Sequence, residues 1–182
     1  MRRHRIPAAL VALALASVAA LLLVGGSPAQ PSKSQQLFRK TLLDDAKTTP
    51  AIKRLLREDG GFVAPEIEFA DLTGDGRSDA IVLVDTGGAA GAVALYVFST
   101  RGKDADSALR AVYRSQQLYR ASASISGDAL ILRTPRFVEG DDLCCPAKLV
   151  ERVYAWSDDT RTLRQRSNQE LPGPAGTTTT PQ

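Results

Sequence analysis

The sequence predicts an α+β fold: two N-terminal helices followed by a twisted, mainly antiparallel β-sheet of about five to seven strands. Two observations carry that prediction. Apolar residues recur at helical spacing only between residues 34 and 58, and beyond Gly61 the chain breaks into short β-branched or aromatic-bearing segments separated by Gly, Asp, Ser or Pro. A third observation sets the order: helices come first and strands come after them, without the alternation that builds parallel βαβ units.

Taken in order, Leu37, Phe38, Leu42 and Ala46 fall on one side of a first helix. Thr49 can cap a second helix with Pro50 in its first position, and Ile52, Leu55 and Leu56 give it one apolar face before the stop at Gly60-Gly61. Strand-like segments lie at Ile67 and Phe69, Ile81 to Val84, Ala92 to Phe98, from Ala111-Val112 onward, Tyr119 to Ile125, Ala129 to Leu132, and Leu149 to Trp156. The runs Ile81 to Val84 and Ala92 to Phe98 do not alternate polar with apolar. They are expected to be central strands covered on both faces, with the helices on one side. Tyr96, Tyr113, Tyr119, Tyr154 and Trp156 are expected to pack within the sheet rather than to form a carbohydrate platform.

Around this body the termini divide the chain. Arg2, Arg3 and Arg5 precede an apolar run from Ala8 to Val24 and then small residues to Ala29, the parts of an export signal. Residues 1–29 are therefore read as a signal peptide with cleavage near Gln30, or as an uncleaved membrane anchor. The run reaches the short end of the spanning range, roughly 17 to 25 residues. Leu23 to Ser27 resembles a bacterial lipobox with Ser27 where the acylated cysteine would stand, so lipidation there is excluded. Either alternative places the body outside the cytoplasm, secreted or tethered by the N-terminal segment. Residues 30–171 form one expected domain. Residues 172–182, with nothing apolar larger than Ala or Pro, form an expected disordered tail.

Charge excludes one class of function. The chain holds 23 Lys and Arg against 20 Asp and Glu, a formal +3. The three arginines of the export segment account for all of it, so the body is neutral and does not read as a nucleic-acid binder. Within it, residues 101–136 are locally positive through Arg101, Lys103, Arg110, Arg114, Arg120, Arg133 and Arg136, expected as solvated strand edges. His4 is the only histidine and lies in the export segment. The body therefore lacks the imidazole that Ser-His-Asp and Cys-His systems and His-ligated zinc require. No catalytic residue is assigned, and the chain is read as a non-enzyme. A carboxylate hydrolase would have to draw on Glu66, Glu68, Glu139, Asp141 or Asp142.

The most specific motif is Asp71-Leu72-Thr73-Gly74-Asp75-Gly76-Arg77-Ser78-Asp79. Oxygen side chains at alternate positions with a glycine at the sixth suit a compact cation loop. Asp71, Thr73, Asp75 and Asp79 would give side-chain oxygens and Arg77 its carbonyl, so Ca2+ is the expected cofactor. Val82 stands where the bidentate glutamate of an EF-hand belongs, and Thr73 replaces a stronger ligand. The alternative is a tight hairpin turn closed by its own aspartates. The segment Phe69 to Val82 resembles one FG-GAP or VCBS-type repeat unit. In that family, similar loops bind calcium between strands of extracellular propellers used in adhesion and recognition. One copy excludes a whole propeller. The chain is also similar to a broad set of bacterial secreted proteins and lipoproteins that carry one such loop and a later Gly-Asp-x-x-Cys-Cys-Pro segment. That likeness implies a setting and no activity.

Cys144 and Cys145 are the only cysteines. In an oxidising compartment they would form a vicinal disulfide, remain two free thiols, or make two intermolecular bridges. Neighbouring Cα atoms, about 3.8 Å apart, are closer than ordinary bridging prefers. The functional expectation is an extracytoplasmic, non-catalytic binding or structural module with an unknown envelope or extracellular ligand, stabilised by calcium at the aspartate loop. The alternative is a thiol or soft-metal responsive envelope protein acting through Cys144-Cys145.

Overall fold

The computed structural model describes residues 30–100 and 109–174. The export or anchor segment, Arg101 and Lys103 lie outside the described residues. Helix α1 spans Lys33–Asp44 and opens on a reciprocal capping box. The Ser32 hydroxyl accepts from the Gln35 amide, and the Gln35 side chain accepts from the Ser32 amide. Helix α2 spans Pro50–Arg57, with Thr49 as its cap and the proline in the first turn, as the sequence predicts. Each helix buries one stripe: Phe38 and Leu42 from α1, Ile52 and Leu56 from α2.

The strands depart from the expected single sheet of about five to seven. Among the described residues the chain forms nine strands in two separate antiparallel sheets, and the fold is mostly β. The first sheet holds β1 (Phe62–Val63), β2 (Glu68–Ala70), β3 (Asp79–Asp85), β4 (Ala92–Ser99) and β5 (Arg110–Gln116). Both β1 and β2 pair with β3, one at each end of it. The second sheet holds β6 (Ser122–Ser126), β7 (Ala129–Arg136), β8 (Lys148–Ser157) and β9 (Thr162–Pro172) in simple meander order.

The split falls at residues 117–121. Gln117 and Arg120 adopt positive φ there, 69° and 46°, and turn the chain off the first sheet. The crossover is pinned to the end of the β3–β4 turn and the start of β4 by three backbone bonds: Leu118 N–H to Val93 O, Arg120 N–H to Ala90 O and Ala121 N–H to Ala92 O. Gly91 allows the approach, since a Cβ on it would stand 3.3 Å from the Arg120 Cα. The segment Tyr119 to Ile125, expected as one strand, is therefore half crossover and half β6.

The outcome is three layers, helices on sheet on sheet. Alternation along β3 and β4 sends Ala80, Val82, Val84, Ala94, Tyr96 and Phe98 to the helices. Ile81, Leu95 and Val97 point the other way, into a second core completed by Leu130, Leu132 and Leu163 of the second sheet. The non-alternating runs are thus covered on both faces, as expected, with the second sheet as the other cover. Tyr113 and Tyr154 pack across that interface, ring centroids 5.0 Å apart.

One strand lies beyond the last segment expected to be a strand. Strand β9 carries little apolar signal because Leu163 is its one buried residue; the strand is an exposed edge, paired along β8 and interrupted by a bulge near Arg166. It also runs into the segment expected to be tail. Pro172 pairs with Lys148, and buried Gly173 donates its amide to Ala147 O.

Candidate functional site

The aspartate loop joins β2 to β3, and its base is fixed before any ligand is considered. Asp79 opens β3 fully buried, and its Oδ2 accepts the amides of Leu72 and Thr73, both at 2.9 Å. Leu72, at 1% exposure, plugs the second core directly beneath the loop. Above this base, Asp71 Oδ1 accepts from the Asp75 amide and Oδ2 from the Gly76 amide, while Asp75 Oδ1 accepts from the Arg77 amide. Gly74 and Gly76 take positive φ, which lets the backbone turn its amides inward. The Arg77 guanidinium reaches Thr100 O.

Of the five expected ligands, then, Asp71, Asp75 and Asp79 each spend carboxylate oxygens on the loop's own amides. Among the described residues no three acidic, histidine or cysteine side chains converge on one point. Val82, at the twelfth position, is buried on β3 toward the helices. One group remains electrostatically unsettled. Asp79 Oδ1, Thr73 Oγ1 and Ser99 Oγ are buried without a partner in hydrogen-bond geometry among the described residues. Burial pushes the Asp79 pKa above the usual carboxylate value, and the Ser99 and Thr73 hydroxyls beside it, with the two amides, hold it down only in part. Ser99 comes from β4 and was not legible as a member of this site.

Cys144 and Cys145 are disulfide-bonded within the β7–β8 loop. Asp141 organises the base of that loop: its Oδ2 accepts the amides of Val138 and Ala147, both at 2.9 Å, and these bonds hold its pKa below the usual carboxylate range. At the tip, the Cys145 amide donates to Asp142 O, and the Arg120 guanidinium donates to Leu143 O. Among the other candidate carboxylates, Glu66 is exposed before β2 and Glu68 exposed at its first position, while Glu139 and Asp142 are exposed in the cysteine loop.

Among the described residues three of the arginines expected as solvated edges also pair with acids distant in sequence. Arg114 meets Asp45 at 2.7 Å, Arg133 meets Glu151 at 2.6 Å, and Arg136 pairs with Glu170. Acids of the helix connector, β8 and β9 thus offset part of the positive charge that β5 and β7 carry.

No protein-family model matches the chain, and no solved structure matches it. A protein of Streptomyces avermitilis, lipoprotein CseA, is 27% identical over 153 residues, covering 84% of this chain and 68% of its own length. The similarity is to a bacterial lipoprotein and extends over most of the body described above.

Proposed function

We propose that the chain is an extracytoplasmic, non-catalytic module of the bacterial envelope. The observation that carries this reading is the similarity, along 84% of the chain, to a protein named as a lipoprotein. An arginine-led apolar N-terminus supports it independently. This chain differs from a lipoprotein where lipid would be attached, because its only cysteines are Cys144 and Cys145. It is secreted, or held by the N-terminal segment itself. Among the described residues no helix is long and apolar enough to cross a membrane. Mass spectrometry of the exported protein tests the proposal. A mature N-terminus near Gln30, or a full-length chain open to protease added outside intact cells, is expected. Full-length chain confined to the cytoplasm would refute it.

Calcium belongs to the same reading as an accessory ligand of the aspartate loop. Its support is the fully buried Asp79 carboxylate, which among the described residues is met by amides and hydroxyls but by no basic side chain. Asp71 and Asp75 would have to exchange their amide bonds for the ion, so binding is expected at about 0.1 to 1 mM, as in extracellular modules. At tenfold saturation that gives about 1.4 kcal/mol. Superimposable melts in millimolar calcium and in chelator would remove the ion from the site.

A further inference from the structure

We propose that Cys144-Cys145 is a reversible redox site whose state sets the posture of the Leu143 tip of the β7–β8 loop. The inference goes beyond the envelope reading and rests on it only for the oxidised resting state. Three observations converge. The bridge is accessible, with Cys144 exposed and Cys145 half-buried. Its neighbour Leu143 is 77% exposed, the most exposed large apolar side chain among the described residues, so the loop backbone rather than packing sets where it points. Finally, the loop's closure is divided into two parts that do not share bonds.

The base is closed by Asp141 through the Val138 and Ala147 amides, independently of sulfur. The tip is closed by the ring of the bridge, the Cys145 amide on Asp142 O and the Arg120 guanidinium on Leu143 O. Adjacent cysteines joined by sulfur fix the peptide between them. Opening that ring returns torsional freedom to the residues that orient the Leu143 carbonyl and the Cys145 amide. The base keeps its bonds, so the change stays local, and the Leu143 side chain is released from one fixed direction.

The co-reactant is a dithiol. One of its thiolates attacks Cys144 Sγ; the Cys144–Cys145 sulfur bond breaks as a mixed disulfide forms, and Cys145 leaves as a thiolate that takes a proton. The reductant's second thiolate then displaces Cys144, which leaves as a thiolate and is protonated in turn. The protein gains two thiols, and the reductant becomes a disulfide. The reverse exchange, with a disulfide of the same class, restores the bridge.

The test is amide hydrogen exchange on the purified chain, oxidised and after treatment with dithiothreitol, with alkylation and mass measurement fixing the thiol count. The Cys145 amide is expected to exchange at least tenfold faster after reduction, while the Val138 and Ala147 amides keep their rates. The double variant Cys144→Ser with Cys145→Ser is expected to exchange at the reduced rate with or without dithiothreitol. A Cys145 amide with the same rate in both states overturns the proposal. So does loss of protection at Val138 and Ala147 together with the tip, which would make the bridge a staple of the whole loop. Because both states are prepared in vitro, the result stands apart from where the cell places the protein.

Discussion

Replacing Asp79 in two ways separates its work as an acceptor from the cost of its charge. Asp79→Ala removes the oxygen that receives the Leu72 and Thr73 amides at 2.9 Å, in a position with no access to water. Each orphaned amide costs about 1–3 kcal/mol, and losing a desolvated carboxylate returns part of that. A net loss of about 2–5 kcal/mol is expected, or roughly 5–15 °C in Tm for a chain of this size. Asp79→Asn keeps an acceptor oxygen and deletes the charge, so its cost at pH 7 should be under about 1 kcal/mol. The pH dependence has a definite direction. Burial raises the native pKa above the unfolded value. The stability this group contributes is therefore fully present below the unfolded carboxylate pKa of about 4 and is lost as pH rises through the native one. Denaturant melts of wild type and Asp79→Asn from about pH 3.5 to about pH 8, spaced at about half-unit steps, should show wild type losing ground to the variant across that window. If Asn proved as damaging as Ala, or the difference were flat with pH, the reading of Asp79 as a desolvated acceptor would be wrong.

Two other outcomes are expected. Gln116 clamps the helix connector to the first sheet: its Oε1 accepts from the Thr49 amide and the Tyr96 hydroxyl, and its Nε2 donates to Lys47 O. Gln116→Ala should cost about 1–3 kcal/mol in chemical denaturation. A change below about 0.5 kcal/mol would mean that water replaces the clamp at no loss. At the other end of the chain, a Cβ on Gly173 would collide with Pro146 O and meet Ala147 C and Lys148 N at 3.0 Å. Gly173→Ala should cost about 1–3 kcal/mol of stability, and an unchanged melt would show that the chain already leaves the body before this residue.

Much of the local structure was readable from sequence because its causes are local. Thr49-Pro50 specifies a helix start through one hydroxyl and one fixed φ, and both act within a single turn. The unbroken apolar runs of β3 and β4 specify strands with two dry faces. The division into two sheets was not readable, because it depends on which strands pair. That is decided at Gln117 and Arg120, two residues with no composition that announces a positive φ. Strand β9 was invisible for the opposite reason: it pairs through its backbone and contributes one buried side chain. The aspartate spacing correctly located a tight loop. Spacing alone could not show that Asp79 faces inward onto two amides while Asp71 closes the turn above it, and Ser99 enters that site only through the pairing of β3 with β4.

The position of β4 decides how the molecule can come apart. Tyr96 and Phe98 belong to the core under the helices, Leu95 and Val97 to the core between the sheets, and all four are at most 1% exposed. Successive residues of one strand are thus shared property of two interiors. Neither outer layer can be peeled away without wetting a face of the strand that supports the other. The helices and the outer meander are therefore not separable modules but the two walls of one indivisible partition, free to diverge on their solvent sides while the midplane between them stays constrained in volume on both.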